Sequence, residues 1–409
     1  MAKLPPMKHQ RWAIAACLIA LAAPAPLSAQ ATAPIAEQIQ RSIASGAKEF
    51  IVPGGTHVID AAIRLRDVHG FALRGETGAV LQLPPVSFAI AGDAASAGDT
   101  RISIARSRAM RPGMRLQIAA PGAIEPFTKK PRPNFIVRLD RAEPTRLLLA
   151  EPLPFPVPGS TLIRDDAAPN LIDIRGGGNI TIENLTLDGG RGADDPLIQG
   201  HAQLCGIFAA GPYSYEKGPT GPPISNLTVG NCTIRNCFGR GIALYAVADA
   251  LVENCAIENC ADEAIDFDHF AVRCIARNNR VSRARIGVEL NDANDSTISG
   301  NEFTECGMGV NIWRWCRQPR LNVGNLIESN RFSTTAGDAI RLATGTEQNT
   351  VRGNTITSPV GHGISVAGNN QIIEGNTISG AKGKPIAIKE GSHVMKNNEP
   401  GEPPRTPAP

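Results

Sequence analysis

Short apolar segments recur through the second half of the chain at a nearly constant spacing. One phrase places an Asn-containing turn before an apolar residue, as in Val252-Glu-Asn-Cys-Ala-Ile257 and Val351-Arg-Gly-Asn-Thr-Ile356. A second phrase has two apolar residues separated by one position, as in Ala264-Ile-Asp-Phe267 and Gly309-Val-Asn-Ile312. Its first apolar residue falls at positions 242, 265, 288, 310, 340, 364 and 386, which gives steps of 23, 23, 22, 30, 24 and 22 residues.

The alternation of apolar and polar positions predicts β-strands rather than helices. The Asn and Gly residues between the segments tolerate the left-handed backbone conformation that sharp bends require. A period of about 22–24 residues with two or three strands is one turn of a parallel coil, and stacked coils bury a continuous apolar column. We therefore predict an all-β fold with a single-stranded parallel β-helix, a solenoid, over residues 166–396.

These phrases resemble those of the pectate-lyase-like superfamily of right-handed β-helices, in which Asn-Thr-Ile and Gly-Ile-x-Leu recur in each coil. The resemblance covers about residues 171 to 395 and implies a right-handed coil. It implies no single activity, because the superfamily hosts lyases, hydrolases, epimerases and non-enzymatic adhesins.

The N-terminal residues have the pattern of a secretory signal peptide. Lys3, Lys8 and Arg11 form a basic region, an apolar stretch covers residues 12–23, and Leu27-Ser-Ala29 ends in small residues suited to cleavage after Ala29. We expect residues 1–29 to direct export, so that the mature protein is periplasmic or secreted. We expect no membrane span, because no later segment is long and apolar enough.

The remaining chain divides around the predicted β-helix. In residues 30–97 an isoleucine every four positions from Ile35 to Ile43, followed by Gly46, predicts a short amphipathic helix that caps the first coils. Residues 98–165 break the repeat and predict a small β insertion. A Pro-rich tail over residues 397–409 is expected to be disordered.

Charge and cysteine content limit the partners and the covalent structure. The 41 Lys and Arg residues nearly balance the 38 acidic ones, which favours neither nucleic acid nor an anionic membrane. We expect a monomer. Cys232 and Cys255 lie one repeat apart, as do Cys237 and Cys260, so these stacked thiols are either disulfides or a ladder of small buried side chains.

The register of the second phrase places two columns of side chains on the outer face of one sheet, because successive strand residues point to opposite faces. The first column is Ala243, Asp266, Glu289, Asn311, Arg341, Ser365 and Ala387, and the second is Tyr245, Asp268, Asn291, Trp313, Ala343, Ala367 and Lys389. Polar and aromatic residues are concentrated in the middle coils. This concentration predicts a binding groove over residues 243–313, and the alternative is an ordinary solvated face.

Three carboxylates are expected close together in this groove. Asp266, Asp268 and Glu289 would lie within about 5–7 Å of one another, and ionised carboxylates at that distance repel. Either one retains a proton with a raised pKa, or a cation lies among them. Ca²⁺ takes oxygen ligands of this kind, and Asn291 and Asn311 flank the group. The sequence therefore predicts acid–base chemistry or a calcium site here, with no other cofactor.

The resemblance adds roles to the neighbouring basic residues. In the calcium-using pectate lyases, acidic side chains on one sheet hold the ion against the uronate carboxylate, and an Arg or Lys removes the proton from C5. This implies a catalytic role for Arg341 or Arg314, with Arg285 and Arg240 also nearby. A carboxylate pair about 5 Å apart is equally the spacing of a retaining glycosidase.

Aromatic and histidine side chains complete the predicted site. Tyr245 and Trp313 are suited to stacking on sugar rings at the two ends of the groove, although Trp313 is equally suited to packing the loop that follows it. His269 is a candidate substrate ligand, and a turn role is the alternative. Asp266-Phe-Asp-His269 resembles the Asp-Pro-His phrase of alginate epimerases, but the Pro is absent.

The leading hypothesis is an exported enzyme that cleaves an acidic, uronate-containing polysaccharide by β-elimination. A glycoside hydrolase that uses the same groove is the first alternative. A non-catalytic β-helix that binds glycans or serves as a surface scaffold is the second.

Overall fold

The computed structural model describes residues 33–59, 61–85, 87–119, 134–166, 170–192, 204–316 and 318–401. The predicted signal peptide, and residues 402–409 of the tail, lie outside these ranges. Within them the chain forms the predicted right-handed parallel β-helix, whose coils contribute one strand to each of three parallel sheets.

The three parallel sheets are called sheets 1, 2 and 3, and sheet 1 carries the predicted groove. Sheet 1 contains Ile63–Arg66, Ile172–Arg175, Ile207–Ala210, Ile242–Tyr245, Glu263–Asp268, Ile286–Asn291, Met308–Trp313, Ile340–Leu342, Ile364–Val366 and Ile386–Ile388. Sheet 2 contains Glu49–Val52, His69–Gly75, Gly178–Glu183, Ile224–Gly230, Val247–Ala248, Leu251–Glu253, Ile275–Arg277, Thr297–Ser299, Leu326–Glu328, Thr350–Arg352, Ile372–Glu374 and Val394–Lys396. Sheet 3 contains Gly55–Val58, Ala79–Gln82, Thr186–Asp188, Thr233–Arg235, Ala256–Glu258, Arg280–Ser282, Glu302–Thr304, Arg331–Ser333, Thr355–Thr357, Thr377–Ser379 and Glu399–Pro400.

The predicted register of sheet 1 is confirmed residue by residue. Ile242 pairs with Ile265, which pairs with Val288 and then with Val310 in the next coils. These side chains are fully buried in one continuous apolar core, together with the second apolar residue of each strand. The apolar column therefore holds the coils together, and it orients the intervening residues toward the outer face.

A ladder of asparagines follows the bend between sheets 2 and 3, and all of its members but the last are buried. Its members are Asn279, Asn301, Asn330, Asn354, Asn376 and Asn398. Asn330 Oδ1 accepts hydrogen bonds from the backbone N–H and the side-chain amide of Asn301, each at 2.9 Å. Its amide donates to the carbonyl of Ile298 and to Asn354. Each Asn thus satisfies backbone groups of the bend, which water does not reach.

The N-terminal cap is confirmed as the helix Ile35–Ala44, and Ile35 and Ile39 are buried in the apolar core. The helix contacts the first strands of sheets 1 and 2. It therefore covers apolar side chains that the first coil would otherwise expose.

The insertion is a closed antiparallel barrel with its own apolar core. Its strands, in barrel order, are Arg146–Leu149, Arg101–Arg108, Phe88–Ala91, Leu162–Asp165, Arg115–Ala119 and Asn134–Glu143. It begins at Phe88 rather than at residue 98, because Phe88–Ala91 pairs antiparallel with barrel strands and not with a coil. Strand Ile63–Arg66 pairs directly with Ile172–Arg175, so the stacking of coils continues past the barrel.

Two further expectations about the chain have clear outcomes. Glu399–Pro400 pairs with Thr377 and Ile378 of sheet 3, so the coils extend beyond the predicted end at residue 396. The eight cysteines from Cys205 to Cys316 are all free and buried. The stacked thiols Cys232 and Cys255, like Cys237 and Cys260, therefore form a ladder of small core side chains.

Candidate functional site

Sheet 1 brings together the two predicted columns on its outer face. In the first column Asp266 pairs with Glu289, Glu289 with Asn311, and Asn311 with Arg341. In the second, the order is Tyr245, Asp268, Asn291 and Trp313. The strand register that comes from the apolar core therefore places every one of these side chains beside its predicted neighbour.

This face is much more buried than a solvated solenoid surface. Asp266 is 0% exposed, Asp268 2% and Glu289 4%. The segment that precedes strand Ile224–Gly230 folds over one end, where Tyr213 packs against Tyr245 with ring centroids 6.1 Å apart. The carboxylates therefore lie in a region of low dielectric constant, where their charge needs a partner.

Two arginines partner the acidic residues. Arg240 Nε lies 2.6 Å from Glu263 Oε2 and 2.8 Å from Asp266 Oδ2. Arg285 forms ion pairs with Asp262 and Glu263. We call these side chains the acidic cluster. It comprises the two arginines and five carboxylates: Asp262, Glu263, Asp266, Asp268 and Glu289.

Burial controls the protonation of the acidic cluster. Loss of hydration raises the pKa of Asp266 well above its usual range, and the neighbouring Asp268 raises it further. Burial likewise raises the pKa of Glu263 to about 8 and increases the pKa of Glu289. The cluster has more carboxylates than guanidinium groups, so at least one carboxyl group retains a proton near neutral pH.

His269 lies at the end of the same strand within an aromatic cluster. Its ring centroid is 5.3 Å from Tyr213, 4.8 Å from Tyr215 and 5.0 Å from Tyr245. Its Nδ1 lies 3.1 Å from Asp268 Oδ1 and 3.3 Å from Asp292 Oδ2. The backbone φ of His269 is +35°, in the left-handed region that many turn residues of this chain adopt.

Several buried polar atoms on this face have no hydrogen-bond partner within the described part of the chain. They are Asp266 Oδ1, Asn291 Oδ1, Asn311 Oδ1, Arg341 Nε and Ser365 Oγ. An unsatisfied buried polar group costs about 1–3 kcal/mol, so five of them on one face, four in the first column, are unfavourable unless a ligand or water completes their hydrogen bonds. Both donors and acceptors are present, as a hydroxylated, charged ligand requires.

A cleft of about 470 Å³ opens beside this column. Arg285, Ile286, Glu289, Gly307, Met308, Asn311, Trp313 and Arg341 line it. Asn311 Nδ2 donates a 2.7 Å hydrogen bond to Glu289 Oε2 and so fixes the orientation of that carboxylate. The cleft therefore combines one oriented carboxylate, two guanidinium groups and one indole ring.

The structure divides the predicted site residues into two groups. The cleft is lined by four of them, Glu289, Asn311, Trp313 and Arg341. The others are buried beside the cleft: Asp266, Asp268, Asn291, His269 and Tyr245. Tyr245 is only 5% exposed under Tyr213, so its ring is not available for stacking on a sugar in this conformation.

The structure places Arg314 outside the residues that line the cleft, so its catalytic role stays a prediction. Its Nε donates a 2.8 Å hydrogen bond to the carbonyl of Cys316, and its Nη2 donates to the carbonyl of Gln318. Arg314 follows strand Met308–Trp313, and its guanidinium is used to stabilise the loop that comes next. Arg341 is the member of the predicted pair that lines the cleft.

The predicted calcium ligands do not form a converging set. Ca²⁺ takes about 6–8 oxygen ligands at about 2.3–2.6 Å. Among the described residues, the one group of three or more acidic, His or Cys side chains with converging ligand atoms is His269, Asp292 and Cys316. It contains none of the predicted ligands Asp266, Asp268 and Glu289. Arg240 also supplies the positive charge beside Asp266. We therefore derive no step through calcium at these three carboxylates.

Some residues of the site were not predicted as such. Glu263 faces the acidic cluster from the start of its strand, and Asp292 and Cys316 lie just beyond the strands that carry Asn291 and Trp313. Tyr213 and Tyr215 belong to the hairpin of Tyr213–Ser214 and Gly218–Pro219. The repeat could have indicated Asp292, because Asp292 follows Asn291 in the same way that His269 follows Asp268 one coil earlier.

The chain belongs to the family described as the right handed beta helix region. The family model matches residues 166–323 and 320–399. A comparison with curated proteins finds no sequence match. Among the described residues no helix is long and apolar enough to cross a membrane.

Solved structures with similar folds include a carbohydrate-modifying enzyme and phage proteins. The A-module of the Azotobacter vinelandii mannuronan C-5 epimerase AlgE4 is 14% identical with a TM-score of 0.56, and the match covers 91% of this chain and 92% of that one. Tailspike protein 3 of bacteriophage CBA120 is 11% identical with a TM-score of 0.53, over 90% of this chain and 46% of that one. The N-terminal fragment of gene product 12 of bacteriophage Phi29 is 14% identical with a TM-score of 0.50, over 87% and 62%. At these identities the likeness shows the fold alone.

Proposed function

We propose that this protein is an exported lyase that cleaves an acidic, uronate-containing polysaccharide by β-elimination. The polymer binds across the cleft over Glu289, Asn311 and Arg341. The observation that carries the proposal is the column of buried polar atoms without partners beside an oriented carboxylate of raised pKa. One similar structure is that of a mannuronan C-5 epimerase, which supports the choice of a uronate polymer as the first substrate class to test.

The basic residues of the cleft suit the binding of a uronate. The carboxylate of the sugar at the cleavage site pairs with Arg341, whose Nε has no partner within the described residues. A guanidinium binds a carboxylate through parallel N–H donors and withdraws negative charge from it. The C5–H bond next to that carboxyl group is then more acidic, which lowers the barrier to its removal.

Glu289 carries the proton in this mechanism. A carboxylate whose pKa is raised by burial is a stronger base than an ordinary one, and Glu289 lines the cleft with its orientation fixed by Asn311. Glu289 takes the C5 proton, the C4–O bond breaks, and a C4–C5 double bond forms. The protonated Glu289 then delivers its proton to the departing glycosidic oxygen. The proton that leaves C5 is thus the one that the glycosidic oxygen receives, and Glu289 ends the reaction as a carboxylate.

The proposal is tested by incubating the purified protein with a panel of uronate-containing and neutral polysaccharides, with and without chelator. Ultraviolet absorbance of unsaturated chain ends and the formation of reducing ends are measured in parallel. We expect both signals on a uronate polymer. Glu289→Gln should lower the rate at least about 100-fold, as removal of an acid–base group does.

Glu302→Gln is the matched control, because Glu302 lies on sheet 3 and is exposed. Its activity should equal that of the unchanged protein, with the same circular dichroism in all variants. Unsaturated ends formed at the full rate by Glu289→Gln would overturn the mechanism. The absence of any new chain end on the whole panel would favour a non-catalytic glycan-binding β-helix.

A retaining glycoside hydrolase is the second candidate function. Asp266 and Glu289 are direct partners on neighbouring strands, and retaining enzymes use two carboxyl groups about 5–5.5 Å apart. Hydrolysis would produce reducing ends without ultraviolet absorbance, so the same assay distinguishes a hydrolase from a lyase.

Export is proposed on the sequence of residues 1–29. Expression of the full chain in a bacterium, followed by fractionation, should recover a protein from the periplasm or medium whose first residue is Gln30. Recovery of the uncleaved chain in the cytoplasm would contradict this proposal.

A further inference from the structure

Three coils that follow one another each place one metal-binding side chain at the same end of sheet 1. His269 follows strand Glu263–Asp268, Asp292 follows Ile286–Asn291, and Cys316 lies shortly after Met308–Trp313. One nitrogen, one oxygen and one sulfur of these residues lie within 4.8 Å of one another, and all three residues are buried. We propose that His269, Asp292 and Cys316 form a zinc site, and that the bound ion fixes the loop carrying Cys316 beside the cleft.

The donor set selects the class of metal. An imidazole nitrogen, a carboxylate oxygen and a thiolate sulfur suit Zn²⁺ and similar transition ions, whereas Ca²⁺ and Mg²⁺ prefer oxygen alone. His269 Nδ1 and Asp292 Oδ2 are 3.3 Å apart. That separation is the edge of a tetrahedron whose centre lies about 2.0 Å from each corner, the distance of Zn–N and Zn–O bonds. The His269–Asp292 pair is thus already spaced for a tetrahedral ion, and a sulfur of Cys316 lies within 4.8 Å of both ligand atoms.

Neighbouring groups hold two of the three ligands in place. Asp292 Oδ1 accepts a 2.8 Å hydrogen bond from the backbone N–H of Trp315, and its Oδ2 accepts one of 2.9 Å from that of Cys316. The loop is therefore attached to the carboxylate that would bind the metal. The backbone N–H of His269 donates to Asp268 Oδ1 at 2.6 Å, which fixes the turn that carries the imidazole. Such outer contacts orient ligands and increase metal affinity.

The group supplies three protein ligands, which leaves the fourth position of a tetrahedral ion to solvent. Asp268 Oδ1 lies 3.1 Å from His269 Nδ1 and stands outside the converging group. On metal binding, the Cys316 thiol releases its proton to solvent as the metal–sulfur bond forms, while His269 binds as neutral imidazole and Asp292 as carboxylate. The site stands on its own contacts and does not depend on the reaction proposed for the cleft.

Cobalt titration tests the site on the full-length purified protein after metal removal. One equivalent of Co²⁺ should produce a thiolate-to-cobalt charge-transfer band in the near ultraviolet, and Zn²⁺ should displace it. Cys316→Ser should abolish the band. Cys306→Ser should retain it, because Cys306 lies in the apolar core away from the group.

Asp292→Asn provides a second variant that preserves shape if Cys316→Ser fails to fold. It should weaken Co²⁺ binding at least about tenfold, as loss of a charged ligand does. The absence of a band in the unchanged protein would overturn the proposal. So would an unaltered band in Cys316→Ser, or equal Co²⁺ affinity in Asp292→Asn.

Discussion

At the scale of single residues, the chemistry of this protein depends on charge that is buried without full compensation. Arg240 and Arg285 partner Asp262, Glu263 and Asp266, while Glu289 lies at the edge of the same acidic cluster in the cleft. The five carboxylates of this cluster, Asp268 included, against two guanidinium groups leave a surplus of negative charge. Burial raises the pKa values of Glu263, Asp266 and Glu289, and repulsion between the neighbouring carboxylates raises them further.

Glu263 provides a test through the pH dependence of stability. Burial raises its pKa from 4.5 to about 8, so the folded chain binds a proton that the unfolded chain has already released. This stabilisation is complete below about pH 4.5 and is lost as the pH rises through about 8, with a slope of at most about 1.4 kcal/mol per pH unit. Urea unfolding between pH 5 and 9 should show this loss.

Glu263→Gln removes the titrating proton and should flatten that part of the curve. Glu302→Gln, on an exposed side chain, should keep the slope of the unchanged protein. Equal slopes for Glu263→Gln and the unchanged chain would show that Glu263 does not hold the proton.

Arg341 makes a separate prediction about binding. Arg341→Ala should lower kcat/KM for a uronate polymer at least about tenfold, since a charge-assisted hydrogen bond contributes about 1.5–3 kcal/mol. Arg352→Ala, at an exposed ion pair on sheet 2, should leave kcat/KM unchanged. Steady-state kinetics on the substrate found by the panel measures both. An unchanged kcat/KM in Arg341→Ala would exclude the proposed carboxylate contact.

At the scale of elements, the buried asparagines stabilise the bend that joins sheets 2 and 3. Removing one from the middle of the ladder leaves the backbone N–H of one coil and a carbonyl of another without partners. Water cannot replace them because these atoms are buried. At the end of the ladder Asn398 is half-buried, so water can take over its bonds.

The ladder predicts a difference between two identical substitutions. Asn330→Ala should lower the free energy of unfolding by at least about 2 kcal/mol, from two or more unsatisfied buried groups. Asn398→Ala should cost less than about 1 kcal/mol. Chemical denaturation measures both, and equal losses would show that burial does not determine the contribution of these residues.

At the scale of the whole molecule, the barrel interrupts the chain but not the solenoid. The barrel has a separate apolar core, and the coil strands before and after it pair directly. The coils therefore do not need the barrel to obtain their register.

A chain in which residues 88–165 are replaced by a short Gly-Ser linker should still fold. Its circular dichroism should remain that of a β protein, and its unfolding should remain cooperative. Loss of cooperative unfolding would show that the barrel stabilises the first coils. The unchanged protein at the same concentration is the reference.

The sequence by itself determined the periodic part of this protein. The spacing of apolar residues predicted the β-helix, the core and the neighbours of Asp266, Glu289, Asn311 and Arg341, because strand pairing repeats with the period of the coil. The sequence also predicted the cap helix. It predicted the β insertion too, but the barrel begins at Phe88 and not at residue 98. These features follow from local alternation and from one repeat length.

Only the tertiary structure decided how the outer face is buried and which charges meet. Arg240 reaches Asp266 and Glu263, Arg314 turns to its own loop, and Tyr213 comes from a segment outside the repeat to cover Tyr245. The grouping of His269, Asp292 and Cys316 depends on turns after strands, whose conformations have no period. Register is a property of the repeat, whereas burial and ion pairing depend on irregular segments that the repeat does not encode.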